Sequence, residues 1–119
     1  MSEIQPSGQP AGRGPADILP LVRRLKARLA EAYGPRFAGL VLYGSYARGE
    51  ATPESDVDLL VVLDGPVDRW AEIAPLLDLA SDFEAESGEW LSLVAVARDE
   101  AADPQQRFLR WALADGIAA

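Results

Sequence analysis

Two short apolar runs, with a glycine-serine pair between them, constrain this chain's fold more than anything else in it. The first run, Phe37 to Tyr43, ends on Gly44-Ser45; ten residues later Asp56-Val57-Asp58 opens the second, which ends at Leu63. Turn formers bound them, Gly34-Pro35 ahead of the first and Asp64-Gly65-Pro66 behind the second. Apolar runs of this length between such punctuation are predicted as buried strands. Alternation along the second puts Asp56, Asp58, Leu60 and Val62 on one face and Val57, Leu59, Val61 and Leu63 on the other. Two acids on one face of an otherwise apolar strand need a partner, because an unpaired carboxylate removed from water is costly or shifts its pKa.

The elements around these strands follow from periodicity. Ile18, Val22, Leu25, Leu29 and Tyr33 recur at three- and four-residue steps, which predicts a helix with Asp17 as N-cap, Pro20 in its first turn and Gly34-Pro35 as its end. Arg23, Arg24, Lys26 and Arg28 supply its polar faces. Val67, Trp70, Ile73, Leu77, Ala80 and Phe83 mark a second amphipathic helix, with a kink expected at Pro75 and closure at Ser87-Gly88. Trp90 to Val96 reads as a third strand. Asp103-Pro104 is expected to cap a last helix through Ala114 that buries Leu109, Ala112 and Leu113 and stops at Gly116. Trp70 and Trp111 are expected in the core. The order is helix, strand, strand, helix, strand, helix, with no internal repeat, a small α/β or α+β sheet with helices packed on it. Residues 1–15, rich in Gly, Pro, Ser and Gln, read as a flexible tail, and 16–119 as one domain.

Composition narrows the chemistry. Without cysteine there is no disulfide or thiolate metal site, and without histidine there is no imidazole catalysis or histidine-bound zinc. Any metal must be held by oxygen, which points to Mg²⁺ or Mn²⁺. A formal charge of −8 argues against general nucleic-acid binding. No apolar stretch approaches the ~20 residues of a membrane helix, so a soluble, cytoplasmic protein is expected.

The carboxylates at i and i+2 of a strand share a face, roughly 7 Å apart, and can converge on one or two divalent ions. Gly44 has no side chain to keep phosphate oxygens from the backbone. Ser45 adds a hydroxyl and can open a short helix whose first amides favour anions, and Arg48, one turn on, can fork to a phosphate. Taken singly, these are a turn, a solvated strand edge and a surface arginine. Together they read as a site for a nucleoside triphosphate and its metal.

Gly44-Ser45, ten intervening residues and Asp56-x-Asp58 resemble the signature of minimal nucleotidyltransferases (MNT) of the DNA polymerase β-like superfamily. The similarity spans Leu40 to Leu63, and the Arg107-to-Gly116 ending followed by Ile117 is also similar. The resemblance implies an α+β fold, a small mixed sheet flanked by helices. It implies transfer of AMP from ATP, or of another NMP, to a hydroxyl acceptor. Asp56 and Asp58 would ligate metal, and Gly44 and Ser45 would hold the triphosphate. Many members carry a third carboxylate on the next core strand; here Ser92 stands at that place, with Glu89 nearby as a strand-edge residue. Members this short resemble antitoxins whose partner is a HEPN-domain toxin, silenced by AMP transfer onto a tyrosine. The acidic run Asp78, Asp82, Glu84, Glu86 and Glu89 would suit a basic partner or simply cover a solvated helix. The alternatives are a catalytically weak fold that neutralises its partner by contact alone, and transfer to an aminoglycoside-like hydroxyl compound. Nothing in the residues separates ATP from CTP.

Overall fold

The computed structural model describes residues 12–119, so residues 1–11 of the expected tail lie outside the described residues. Its last residues are already part of the fold. Arg13 N–H donates to the Ala51 carbonyl at 2.7 Å and Ala51 N–H donates back to Arg13 at 3.0 Å. Helix α1, Pro15–Tyr33, starts from Gly14 as N-cap, with Pro15 at the first position, where a missing N–H is harmless. Asp17 is therefore the third helical residue and not the cap; its carboxylate reaches back to accept from Gly14 N–H at 2.7 Å. Pro20 consequently falls beyond the first turn, on an exposed position where the helix tolerates the lost bond. Ile18, Leu21, Val22, Leu25 and Leu29 form the buried side of α1, each contributing about 1.5–3 kcal/mol by leaving water.

A single 3₁₀ turn, Gly34–Arg36, leads into β1, Phe37–Tyr43. The short helix α2, Gly44–Arg48, follows, then β2, Val57–Leu63, and the long helix α3, Arg69–Ser87. Strand β3, Leu91–Ala97, runs into α4, Arg98–Ala102; α5, Arg107–Ala114, and the two-residue β4, Ile117–Ala118, finish the chain. The sheet order is β3-β2-β1-β4, with β1 antiparallel to β2 and β4 and β2 parallel to β3. This is the expected mixed sheet flanked by helices.

The expectations for the last helix, for the inner side of α3 and for the two tryptophans are corrected. The last helix is two: Asp103 ends α4, and Gln106 opens α5. Helix α3 runs unbroken through Pro75, held at its start by the Asp68 carboxylate, which accepts from Trp70 N–H at 3.1 Å, and closed by Gly88 at φ 76°. Its inner side is Leu76, Ala80 and Phe83, while Trp70 is 85% exposed. Trp111, the other tryptophan expected inside, is 50% exposed. Helix α3 packs beside β3, an edge strand, so only a narrow stripe of it meets the sheet.

Parity along β2 divides the core as the alternation predicts. Val57, Leu59, Val61 and Leu63 join α1, α3 and Tyr46 of α2 in one buried cluster. Leu60 and Val62 join Tyr43, Val96, Leu109 and Ala112 in a second, under α5.

Candidate active site

The second face carries the site. Asp58 lies opposite Tyr43 of β1 on one side and Ser92 of β3 on the other, so the three form a row across the sheet. Asp56 is exposed and sits in the approach to β2 rather than within it, which corrects the expected strand start. It still lies close enough that its charge acts on Asp58. The Asp58 carboxyl pKa is raised, chiefly by burial and then by Asp56, with Arg48 pulling the other way. Burial, with a smaller push from Asp58, also lifts the Tyr43 hydroxyl to about 12, so it stays a neutral donor.

Gly44 is fixed by two independent requirements. Its φ of +75° is a left-handed value that side chains disfavour, and a Cβ there would run into the Asp58 carboxylate. The backbone that turns from β1 into α2 is thus pressed directly against the acid. Tyr43, the N-cap of α2, caps with no side chain of its own, so the first amides of the helix keep their hydrogen-bonding capacity. Ser45 is the second residue of α2 and half-buried; its carbonyl accepts from Glu50 N–H at 2.9 Å, which with Gly49 at φ 75° closes the helix. Arg48 is at the other end of α2, where its Nε donates to Glu50 at 3.0 Å and Nη1 lies 3.8 Å from Asp115. The structure therefore brings Gly44, Asp56 and Asp58 together, with Ser45 beside them. It ties Arg48 to two acids while leaving its charge within reach of Asp58.

Glu89 does not complete a carboxylate triad. Its Oε1 accepts from the Tyr46 hydroxyl at 3.3 Å and its Oε2 from Arg13 at 3.4 Å, with the Arg13 guanidinium 5.3 Å from the Tyr46 ring centre. Tyr46 belongs to the core on the opposite face, so Glu89 braces α2 from behind. Other members of the acidic run are likewise used internally: Glu86 accepts from Arg28 at 2.6 Å and Glu84 from the Leu91 amide at 2.8 Å. Among the described residues no three His, Cys, Asp or Glu side chains cluster as metal ligands.

The donor set fits a hard divalent cation all the same. Two neighbouring carboxylates, one of them half-buried and disfavoured as an anion by burial and by the other, are relieved by a cation between them. Mg²⁺ commonly takes one or two protein carboxylates and fills its remaining positions with phosphate and water oxygens.

Two features were missed in the sequence. Tyr43, Phe108 and Trp111 form an aromatic cluster, with Tyr43 nearly perpendicular to both others at centroid distances of 5.8 and 5.9 Å. Asp56 and Ser92, with Ile73, Leu77 and Leu91, also line a cleft of about 290 Å³ between α3 and β3. Neither has a local signature, since each joins residues from distant segments.

An acid pair against a helix-opening glycine, on a mixed sheet, has the oxygen donors and open backbone that phosphoryl or nucleotidyl transfer calls for. Residues 22–112 match the nucleotidyltransferase domain family model, and the chain belongs to that family. Over 49 residues it is 41% identical to the "Putative protein adenylyltransferase MJ1379" of Methanocaldococcus jannaschii. That alignment covers 41% of this chain and 47% of the relative, so it spans about half the relative's length. The fold is similar to a crystal structure described as a putative nucleotidyltransferase from Sulfolobus solfataricus, with a TM-score of 0.58 at 18% identity over 87% of this chain and 79% of that one. It is also similar to a chain in the complex of a tri-AMPylated HEPN toxin with its MNT antitoxin from Shewanella oneidensis, with a TM-score of 0.50 at 16% identity over 81% and 69%. Among the described residues no helix is long and apolar enough to cross a membrane.

Proposed function

We propose that this protein transfers AMP from ATP to a hydroxyl acceptor, a tyrosine of a HEPN-type toxin, and so acts as an antitoxin in the cytoplasm. The observation that carries the reading is the contact of the Gly44 backbone with the Asp58 carboxylate, Asp56 alongside. A triphosphate held at Gly44 would then lie within about one phosphate of a cation held by the two acids. The protein adenylyltransferase name of one relative and the AMPylated toxin bound in one structural neighbour support the chemistry and the partner.

In this reading Asp56 and Asp58 hold Mg²⁺ or Mn²⁺, which when bound neutralises charge on the phosphates. Gly44 and Ser45 offer backbone amides and a hydroxyl to the triphosphate. Arg48 adds positive charge at the far end of α2, released from Glu50 and Asp115 or shared with them. The acceptor side chain would enter at the β3 edge, where Ser92 lies in register with Asp58. Its oxygen bonds to the α-phosphorus as the bond from that phosphorus to the bridging oxygen breaks, and pyrophosphate leaves. Ser92 cannot accept the phenol proton as a carboxylate would, so that proton passes to water. The rate is expected to lie about 10² to 10⁴ below that of an enzyme with a positioned base.

The test combines purified protein, labelled ATP, Mg²⁺ and the neighbouring gene's product. Label is expected on a toxin tyrosine, and an absence of transfer, or transfer that persists in Asp58→Ala, rejects the reading. Ser92 in register with Asp58 favours a second reading, neutralisation by contact alone. Toxin silencing that survives Asp56→Ala/Asp58→Ala together would select it.

A further inference from the structure

The exposed aromatic pair on α5 has no role in the chemistry above, although it stands beside it. Phe108 is 41% and Trp111 50% exposed, their ring centres 6.2 Å apart and their planes tilted by 40°. Single exposed apolar side chains are ordinary on a protein surface; the position of this pair is not. Tyr43, which contacts both rings, precedes Gly44 and is the cross-strand partner of Asp58. Asp115, the C-cap that ends α5 four residues after Trp111, lies 3.8 Å from Arg48, whose charge acts on Asp58. Helix α5 is thereby fixed at one point to the strand that leads into Gly44 and at another to the arginine at the far end of α2.

We propose that Phe108 and Trp111 form the platform on which the nucleobase of the substrate stacks. This rests on the nucleotide reading of the Gly44–Asp58 site and adds the residues that hold the other end of that nucleotide. Phosphates at the first turn of α2 put the base about one sugar away, on the same sheet face as the carboxylates, and that face next to Tyr43 is aromatic. Tyr43 is only 4% exposed and meets both rings nearly at right angles, so it holds them in place while leaving part of each to solvent. A ring held in advance loses little freedom when a base arrives. Stacking uses the face that every base has, so the platform favours purines for their area and discriminates weakly among bases.

Titration calorimetry with a non-hydrolysable ATP analogue and with tripolyphosphate, both with Mg²⁺, separates the platform from the cradle. Trp111→Ala is expected to weaken the ATP analogue about tenfold and to leave tripolyphosphate unchanged, with Trp111→Phe keeping most of the nucleotide affinity and Phe108→Ala losing part of it. Unchanged analogue affinity in both Trp111→Ala and Phe108→Ala overturns the proposal, as does an equal loss for both ligands, which would mean that α5 had merely shifted. A wild-type protein that binds neither ligand overturns the nucleotide reading and this proposal with it. A protein that binds both ligands equally tightly overturns the platform alone.

Discussion

Beneath α1 and α3, two helices of nineteen residues each, the sheet closes over sixteen buried side chains; on its other face the eight-residue α5 and its neighbours close over six. Both faces are built from the same strands, and in β2 they differ only in the parity of the residue. The thickly covered face makes the fold. The thinly covered one leaves Asp58 half-buried, its carboxyl pKa raised by burial and by Asp56 while part of the group stays open to solvent. A shorter cover, and not a different strand, is what leaves one side of this sheet open at the candidate site.

The contrast can be broken most forcefully from the covered side. Leu25→Ala, at a fully buried position of α1, is expected to cost about 3–5 kcal/mol in urea denaturation, against about 2–3 for Leu109→Ala under α5. Equal losses would mean that the two faces contribute alike. On the open side Asp58→Asn is expected to lower AMP transfer on the order of a hundredfold or more while the thermal midpoint does not fall. A drop in the midpoint without loss of transfer would make Asp58 a structural residue. Gly44→Ala should combine both kinds of damage, about 1–2 kcal/mol of stability for the left-handed backbone alone, with loss of transfer as Asp58 is displaced. A variant that melted like the wild type would remove the steric argument.

The pH dependence sharpens the comparison further. Asp58 has a raised folded pKa, so between the unfolded carboxylate value and that raised value the folded state binds more proton than the unfolded. Stability is therefore expected to fall as pH rises through this window and to level off above it. Asp58→Asn should flatten the fall, and Mg²⁺ should recover stability at neutral pH in the wild type only. Melting curves that showed the same pH slope in both proteins would contradict the assignment. The smallest effect is expected at Trp70, where replacement by Ala should move stability by less than about 0.5 kcal/mol because the ring is almost wholly in water.

Much of the framework was readable because it is local. Strand β1 came out at its observed bounds, and the alternation in β2 sorted its residues correctly between two cores. The Gly44-Ser45 and Asp56-x-Asp58 spacing was legible because the turn and the acids bound the strand ends themselves. What escaped depends on where elements lie relative to one another. Trp70 and Ile73 fit a helical stripe, but α3 lies along a sheet edge and turns only Leu76, Ala80 and Phe83 inward. Asp17 looked like a cap although Pro15, two residues earlier, is itself suited to the first helical position. Glu89 and Arg13 are seventy-six positions apart and pair directly, with the Tyr46 hydroxyl on the same carboxylate, and Trp111 reaches Tyr43 only because β4 and α5 fold back on β1.

The fit between Gly44 and the Asp58 carboxylate reaches beyond this one molecule. Fourteen positions apart in the chain, the two are expected to change together, because any side chain at residue 44 would displace the acid. The reverse is not symmetric. A lineage that discarded the acid would gain room at 44 but would still meet the left-handed backbone there, so the glycine should outlast the chemistry it once served.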